Sequence, residues 1–340
     1  MAKARIAING FGRIGRLFFR QAWDNENLEI VAVNDLGDIE NLAYLLKYDT
    51  VYRKFRNEVR AEGNELVIDG RRVRVTQEKD PTKLPWKEMS IDVAVESTGA
   101  FESFEKASAH LTAGAKHVVI TAPAKDGERE DAKTILMGVN ENNFSVCKIT
   151  SNGSCTTNAT APAAAVMAET IGIQKAFLNT VHSYTATQTL TDSPTKGKDF
   201  RRGRAAAQNI TPSTTGAAIA VTRVLPELAG KFDGVAIRVP SVTGSIADLT
   251  FLAKRKTTVE EVNEIFRKAA QEPRWQGILQ VTEDQVVSSD IVGEHFGATI
   301  DLKFTQVVDG DFVKVFSWYD NEAGYVSTLV KHVVKAAENL

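Results

Sequence analysis

In the first third of the chain, short apolar runs alternate with amphipathic stretches. Ala4-Arg5-Ile6-Ala7-Ile8 predicts a buried strand, and Arg13 to Trp23 (RIGRLFFRQAW) an amphipathic helix. Leu28 to Val33 (LEIVAV) predicts a second strand, ending at Asn34-Asp35. Asp38 to Lys47 reads as a helix. Glu65 to Val75 reads as a hairpin turning at Asp69-Gly70, a type I′ signal. Ile91 to Val95 predicts a strand that runs into Glu96-Ser97-Thr98-Gly99. A helix over Phe104 to Ala113 and a strand over Lys116 to Thr121 follow. Such alternation implies a doubly wound parallel sheet, whose ligands gather beyond the C-terminal ends of the strands.

The pattern changes near Thr150, which places a domain boundary there. Long β-patterned runs follow at Lys175-His182, Gly234-Val239, Ser245-Lys254 and Phe312-Trp318. Helices are expected at Gly216-Leu228, Val259-Gln271 and Gly324-Glu338. Polar alternation with few crossover helices suggests a mixed or antiparallel sheet with one covered face. The fold class expected is therefore α/β, a parallel doubly wound sheet plus an α+β domain.

Bulk properties narrow the function. The chain has 340 residues, 41 basic and 43 acidic, so no global field invites nucleic acid or an anionic membrane. No apolar run reaches membrane-spanning length, and the start (MAKARIAING) lacks the apolar core of a secretory signal. Two cysteines, Cys147 and Cys155, are too few for a disulfide framework or a structural zinc site. A reducing, cytoplasmic setting is expected.

The candidate chemistry begins at Gly10-Phe11-Gly12-Arg13-Ile14-Gly15, between the first strand and the first helix, with Asp35 twenty positions after the last glycine. In that order the elements form a dinucleotide-binding fingerprint. Gly10 permits the tight turn, Gly12 lets backbone approach a pyrophosphate, and Gly15 lets helix and strand pack closely. Asp35 accepts from a ribose 2′-hydroxyl and repels a 2′-phosphate, which favours NAD over NADP. Thr98, Gly99 and Thr121 lie at strand ends on the same side. Lys79, beyond the hairpin, is within reach of an adenine.

Ser151-Asn152-Gly153-Ser154-Cys155 immediately precedes an alanine-rich helical run. Ser154 as N-cap puts Cys155 in the first turn, where the helix dipole lowers a thiol pKa. The helix from Thr156 to Ile171 spans about 24 Å. The strand from Gln174 to His182 spans about 30 Å. A reversal at Gly172 therefore brings His182 back to the level of Cys155, and a thiolate–imidazolium pair is expected. Cys147 reads as inert core in a strand-like run. His110, His117, His295 and His332 read as satisfied structural histidines. Ser213-Thr214-Thr215-Gly216 opens a helix and offers hydroxyls with free N–H groups to an anion. Arg238 is a lone charge in an apolar strand, requiring either a partner or a ligand. Arg201, Arg202 and Arg204 crowd a polar loop, where solvation or a subunit contact is the competing reading.

With these residues in view, the chain resembles phosphorylating glyceraldehyde-3-phosphate dehydrogenases over essentially its whole length. INGFGRIGR, VND, SNGSCTTN, TVHSYTATQ, STTGAA, IRVP and SWYDNEAGY carry the resemblance. It implies Cys155 as catalytic thiol and His182 as its base. It implies NAD held by the glycine loop with Arg13, Ile14, Asp35, Lys79 and Thr121. Asn321 would meet the nicotinamide carboxamide, with Tyr325 beside it. Ser154, Thr156, Thr215 and Gly216 would form one phosphate site, and Thr185 and Arg238 the other. Arg204 is favoured as a further phosphate ligand over Arg201. The resemblance implies a Rossmann NAD-binding domain over 1–150, a catalytic domain over 151–322, and a C-terminal helix, 323–340, returning to the first. It also implies glyceraldehyde 3-phosphate and inorganic phosphate as substrates and a homotetramer. An erythrose-4-phosphate dehydrogenase, which hydrolyses its thioester, or another phosphorylated-aldehyde dehydrogenase is the alternative. The sequence departs from the family at Gly153, Ala159, the loop Ser193–Asp199 and Ser241-Val242-Thr243-Gly244.

Overall fold

The computed structural model describes residues 3–195 and 197–340, so Lys196 of the unusual loop lies outside the described residues. They divide into two compact units. The first comprises the chain up to Ile135, Asn140–Gly153 and Leu329–Leu340; the second comprises Leu136–Val139 and Ser154–Thr328.

The first unit begins with β1 (Ala4–Asn9), α1 (Arg13–Ala22), β2 (Leu28–Asn34) and α2 (Ile39–Lys47). A three-stranded meander follows, β3 (Val59–Glu62), β4 (Glu65–Ile68) and β5 (Arg71–Thr76). The β4–β5 turn has positive φ at Asp69 (47°) and at Gly70 (83°), as a type I′ turn requires. Then come β6 (Val93–Glu96), α3 (Phe104–Ala107), α4 (Ala109–Thr112), β7 (His117–Ile120), β8 (Ala132–Thr134) and β9 (Ile149–Ser151). The nine strands form one sheet in the order β3-β4-β5-β2-β1-β6-β7-β9-β8, parallel from β5 onward. Its central strands are fully buried over Ile6–Ile8 and Val93–Val95, as strands covered on both faces must be.

The second unit opens on α5 (Cys155–Thr170) and β10 (Ile173–Ser183). It continues with β11 (Thr211–Thr214), α6 (Ala217–Val224), β12 (Phe232–Val239), β13 (Ser245–Ala253) and α7 (Val259–Ala269). It closes with β14 (Leu279–Thr282), β15 (Ala298–Val308), β16 (Phe312–Tyr319) and α8 (Ala323–Glu338). The sheet order is β11-β12-β10-β13-β16-β15-β14. Pairing is mixed: β10–β12 and β14–β15 are parallel, the others antiparallel. Every residue of α5 from Thr156 to Met167 is buried, because the helix packs on the sheet while α6 and α7 flank it. Its run of alanines permits that close approach.

Three expectations are corrected. The single helix over Phe104 to Ala113 is two short helices, α3 and α4. The Ser108 hydroxyl donates to the Glu105 carbonyl at 2.5 Å and competes with the helical ladder. The helix beginning near Gly216 stops at Val224, because Leu225 precedes Pro226 and is driven out of the helical region (φ −125°, ψ 76°). Cys147 caps a 3₁₀ turn, Glu141–Val146, instead of lying in a strand. It is buried there, which raises its thiol pKa.

Candidate active site

Ser154 closes a capping box at the start of α5. Its hydroxyl accepts from Thr157 N–H (3.1 Å), and its own N–H donates to Thr157 Oγ1 (3.1 Å). Cys155 is thereby fixed as the first helical residue. The chain reverses at Gly172, and β10 carries His182 back until Nε2 lies 3.3 Å from the Cys155 sulfur. β12 runs parallel to β10 with Arg238 in register with His182, so the two side chains share the face that α5 covers. Arg238 Nη1 lies 2.5 Å from His182 Nδ1 and donates to the Ser183 carbonyl at 3.1 Å. That carbonyl is also 2.7 Å from Nδ1. Nδ1 thus faces a donor, the Arg238 guanidinium, and an acceptor, the Ser183 carbonyl, while Nε2 faces the thiol.

Two influences act on the charge of the pair, burial and Arg238. Burial pushes the Cys155 thiol up, and Arg238 is the largest influence opposing it. Burial, then the positive charge of Arg238, pushes His182 down to about 3. Burial thus works against charge on both groups, while Arg238 favours the thiolate and disfavours the imidazolium. Below the pair, the Tyr319 ring meets His182 edge-on at 5.9 Å between centroids. Its hydroxyl bonds Thr156 (2.9 Å) and Thr180 (2.8 Å), so the Thr156 hydroxyl, expected at a phosphate, is turned into the core.

A second cluster adjoins Arg238. The Thr185 hydroxyl bonds that of Thr187 (2.9 Å). Arg202 donates to Thr187 Oγ1 (3.3 Å) and to Ser213 Oγ (3.0 Å). Burial lowers the Arg238 pKa, and Arg202 is close enough to lower it further. Arg204, the arginine favoured from sequence, turns instead to Asp192 (2.8 Å) and is 62% exposed. Arg201 turns to Asp199. Arg202 also reaches Asp199 (3.7 Å), and what sets it apart from two otherwise similar arginines is its contact with Thr187 and Ser213. Beside this cluster, α6 starts at Gly216 with no side-chain cap, and a Cβ there would meet open space. Thr215 Oγ1 accepts from Ala217 N–H at 3.1 Å.

In the first unit the glycine loop follows β1. Gly10 has φ +93°, and a Cβ there would fall 2.6 Å from Ser97 backbone. A Cβ on Gly15 would sit 2.1 Å from the Gly10 carbonyl, whereas one on Gly12 would meet nothing within 4 Å. Two glycines thus serve close packing and the third leaves an open approach to an uncapped helix N-terminus. Asp35 accepts from Phe11 N–H (2.7 Å) and Gly37 N–H (2.8 Å), joining the acid to the loop. The Arg13 guanidinium is paired with Asp49, so what Arg13 and Ile14 offer at the loop is backbone N–H. Thr121 donates through its hydroxyl to the Glu96 carbonyl (3.1 Å), and Lys79 is exposed past β5.

Comparison with known proteins shows the family. The profile described as "Glyceraldehyde 3-phosphate dehydrogenase, NAD binding domain" matches residues 4–104, and that of the C-terminal domain matches residues 154–321. Glyceraldehyde-3-phosphate dehydrogenase 2 of Streptomyces avermitilis is 48% identical over 99% of both chains. The glyceraldehyde-3-phosphate dehydrogenases of Geobacillus stearothermophilus and Eremothecium gossypii are 50% and 47% identical, over 96% and 98% of this chain and 96% and 99% of theirs. The chain belongs to the glyceraldehyde-3-phosphate dehydrogenase family. It is an NAD-dependent oxidoreductase, and the open approach at Gly12, the uncapped helix and Asp35 fit that cofactor.

Two further residues expected of this dehydrogenase family lie in the second unit. The Asn321 side-chain oxygen accepts from Gly244 N–H (3.1 Å) and from the hydroxyls of Ser245 (3.0 Å) and Thr243 (3.3 Å). That gives the unusual 241–244 segment a role: it fixes which end of the amide is oxygen. Tyr325 is buried at 3% exposure on α8.

Proposed function

We propose that the chain oxidises glyceraldehyde 3-phosphate and passes the acyl group to inorganic phosphate, giving 1,3-bisphosphoglycerate. The contact between Cys155 and His182, with Arg238 behind it, carries this reading. Arg238, Arg202, Thr185 and Thr187 hold the substrate phosphate. Arg238 then has an anion to face, and the imidazole is relieved of its pressure. His182 Nε2 takes the thiol proton as sulfur adds to the aldehyde carbon, and returns it to the resulting alkoxide. The Cys155 N–H, in the first turn of α5, steadies that oxygen on the way. Bound NAD supplies the acceptor for the hydride. His182 takes the hydroxyl proton again as the hemithioacetal becomes a thioester. Inorganic phosphate at the α6 start, on Thr215 and Gly216, attacks the thioester carbon and releases the thiolate, which His182 reprotonates.

Erythrose-4-phosphate oxidation with hydrolysis is the second reading. The open N-terminus of α6 favours phosphate over water as the attacking group. NADH formation from glyceraldehyde 3-phosphate, with and without inorganic phosphate, separates them. A strict phosphate requirement is expected, and phosphate-independent turnover would overturn phosphorolysis. We also propose a homotetramer in the cytoplasm, as suits a glycolytic role. The outer face of the second unit's sheet supports assembly, since Phe177, Val235 and Phe312 are all exposed there.

A further inference from the structure

Beneath the glycine loop runs a buried chain of hydrogen bonds that takes no part in the chemistry at Cys155. Asn9, Asn34 and Glu96 end β1, β2 and β6, immediately before Gly10, Asp35 and Ser97. All three are buried. Asn34 Nδ2 donates to Asn9 Oδ1 (2.7 Å), and Asn9 Nδ2 donates to Glu96 Oε2 (2.5 Å). Glu96 Oε1 accepts from the Thr98 N–H (2.8 Å) and hydroxyl (2.5 Å). His110 Nε2 lies 2.9 Å from Glu96 Oε2, and Trp86 Nε1 lies 3.0 Å from His110 Nδ1. An indole N–H can only donate. Nδ1 must therefore accept, and the one imidazole proton sits on Nε2, directed at Glu96. The carboxylate receives four donors, two from the loop after β6, one from the end of β1 and one from His110. Asn34 Oδ1 extends the chain by accepting from Thr76 Oγ1 (2.8 Å) and Glu78 N–H (2.9 Å).

We propose that His110 is a positioning residue for NAD. Trp86 fixes its tautomer, His110 fixes the Glu96 carboxylate, and Glu96 sets the loops that follow β1, β2 and β6 before the dinucleotide arrives. This rests on the cofactor seating at those strand ends. Both side chains are fully buried and remote in sequence from any glycine of the loop, so neither needs to touch NAD. Without the Nε2 donor, Glu96 keeps an unmet lone pair and draws Asn9 and Thr98 out of place. NAD binding must then restore the order of the loops.

The test is steady-state kinetics and NAD titration on the full-length protein. His110→Leu should raise Kd and KM for NAD roughly tenfold, the range for an unmet buried acceptor, with kcat at saturating NAD within about twofold. His110→Gln keeps an N–H near the Nε2 position and should recover NAD affinity to within about threefold of the parent. An unchanged NAD affinity in His110→Leu would overturn the proposal. So would a Gln variant no better than Leu, since that describes packing alone. If His110→Leu does not fold, Glu96→Gln decides, because an amide must turn one N–H toward a donor. It too should raise KM for NAD and spare kcat, and an unaltered KM counts against the brace. Asp35→Ala reports separately on the seat. It should relax the preference for NAD over NADP, and an unchanged preference there removes the seat and not the brace.

Discussion

Arg238 is a half-buried cation whose influential neighbours are Cys155, Tyr319 and Arg202, with no carboxylate among them. A buried charge without a counter-charge is costly, so its place in the apolar strand calls for an anionic ligand. Among the described residues, Arg238 has no carboxylate partner of the kind the structural ion-pair reading requires. On the proposed reading Arg202, held against Thr187 and Ser213, joins it from a loop where sequence alone pointed to Arg204. Arg202→Ala should raise KM for the phosphorylated aldehyde by roughly 10- to 100-fold, the scale of a lost charged hydrogen bond, while Arg204→Ala changes it less than about twofold. Equal effects of the two substitutions would return the assignment to Arg204. Cys155→Ser should abolish NADH formation with NAD binding intact, because an alcohol pKa lies far above any shift that one arginine and a helix end supply. More than trace turnover in that variant would end the covalent mechanism.

At the scale of elements, what the sequence made legible follows from burial pattern. β1, β2 and α1 were readable because the glycine fingerprint and the apolar periods agree. β13 was readable because one face is buried and the other partly exposed, residue by residue. β15 escaped notice because Ala298 to Leu302 are buried on both faces, so alternation vanishes. The Cys155–His182 contact was foreseeable from helix and strand lengths alone, whereas the cation beside it depends on the register of β12 against β10. Another consequence of packing lies between β7, β9 and the end of α8. Thr150 Oγ1 bridges His117 Nε2 (3.0 Å) and His332 Nε2 (2.7 Å). Burial holds His117 down to about 4 and His332 to about 3, from an ordinary value of 6.5. An unfolded chain binds protons at these histidines that the folded chain refuses. Stability is therefore complete above about pH 6.5 and falls progressively as pH drops toward 4, by on the order of 3 kcal/mol per histidine. Reversible denaturation from pH 7 to 4 should show that loss, reduced in a His117→Gln/His332→Gln variant. A parent and variant with parallel pH profiles would assign acid sensitivity to other groups.

For the whole molecule, the decisive surface is the uncovered face of the second sheet. Side chains alternate along β10, and those in phase with His182 lie under α5. Phe177 is in the opposite phase, and its register partners on β12 and β13 share its face. Phe177, Val235, Phe304, Val308 and Phe312 are exposed there at 60%, 48%, 52%, 60% and 47%. A monomer rarely leaves an apolar strip of this kind in water, and a self-complementary contact across a two-fold axis covers it without leaving an open edge. Light scattering of the parent should return four chains at micromolar concentration. Phe177→Asp places a charge at that contact and should shift the mass to dimers or monomers. Cys155 alkylation should be little changed, since Phe177 faces away from the thiol. A monomeric parent would refute the assembly. A tetrameric Phe177→Asp variant would move the interface to another face.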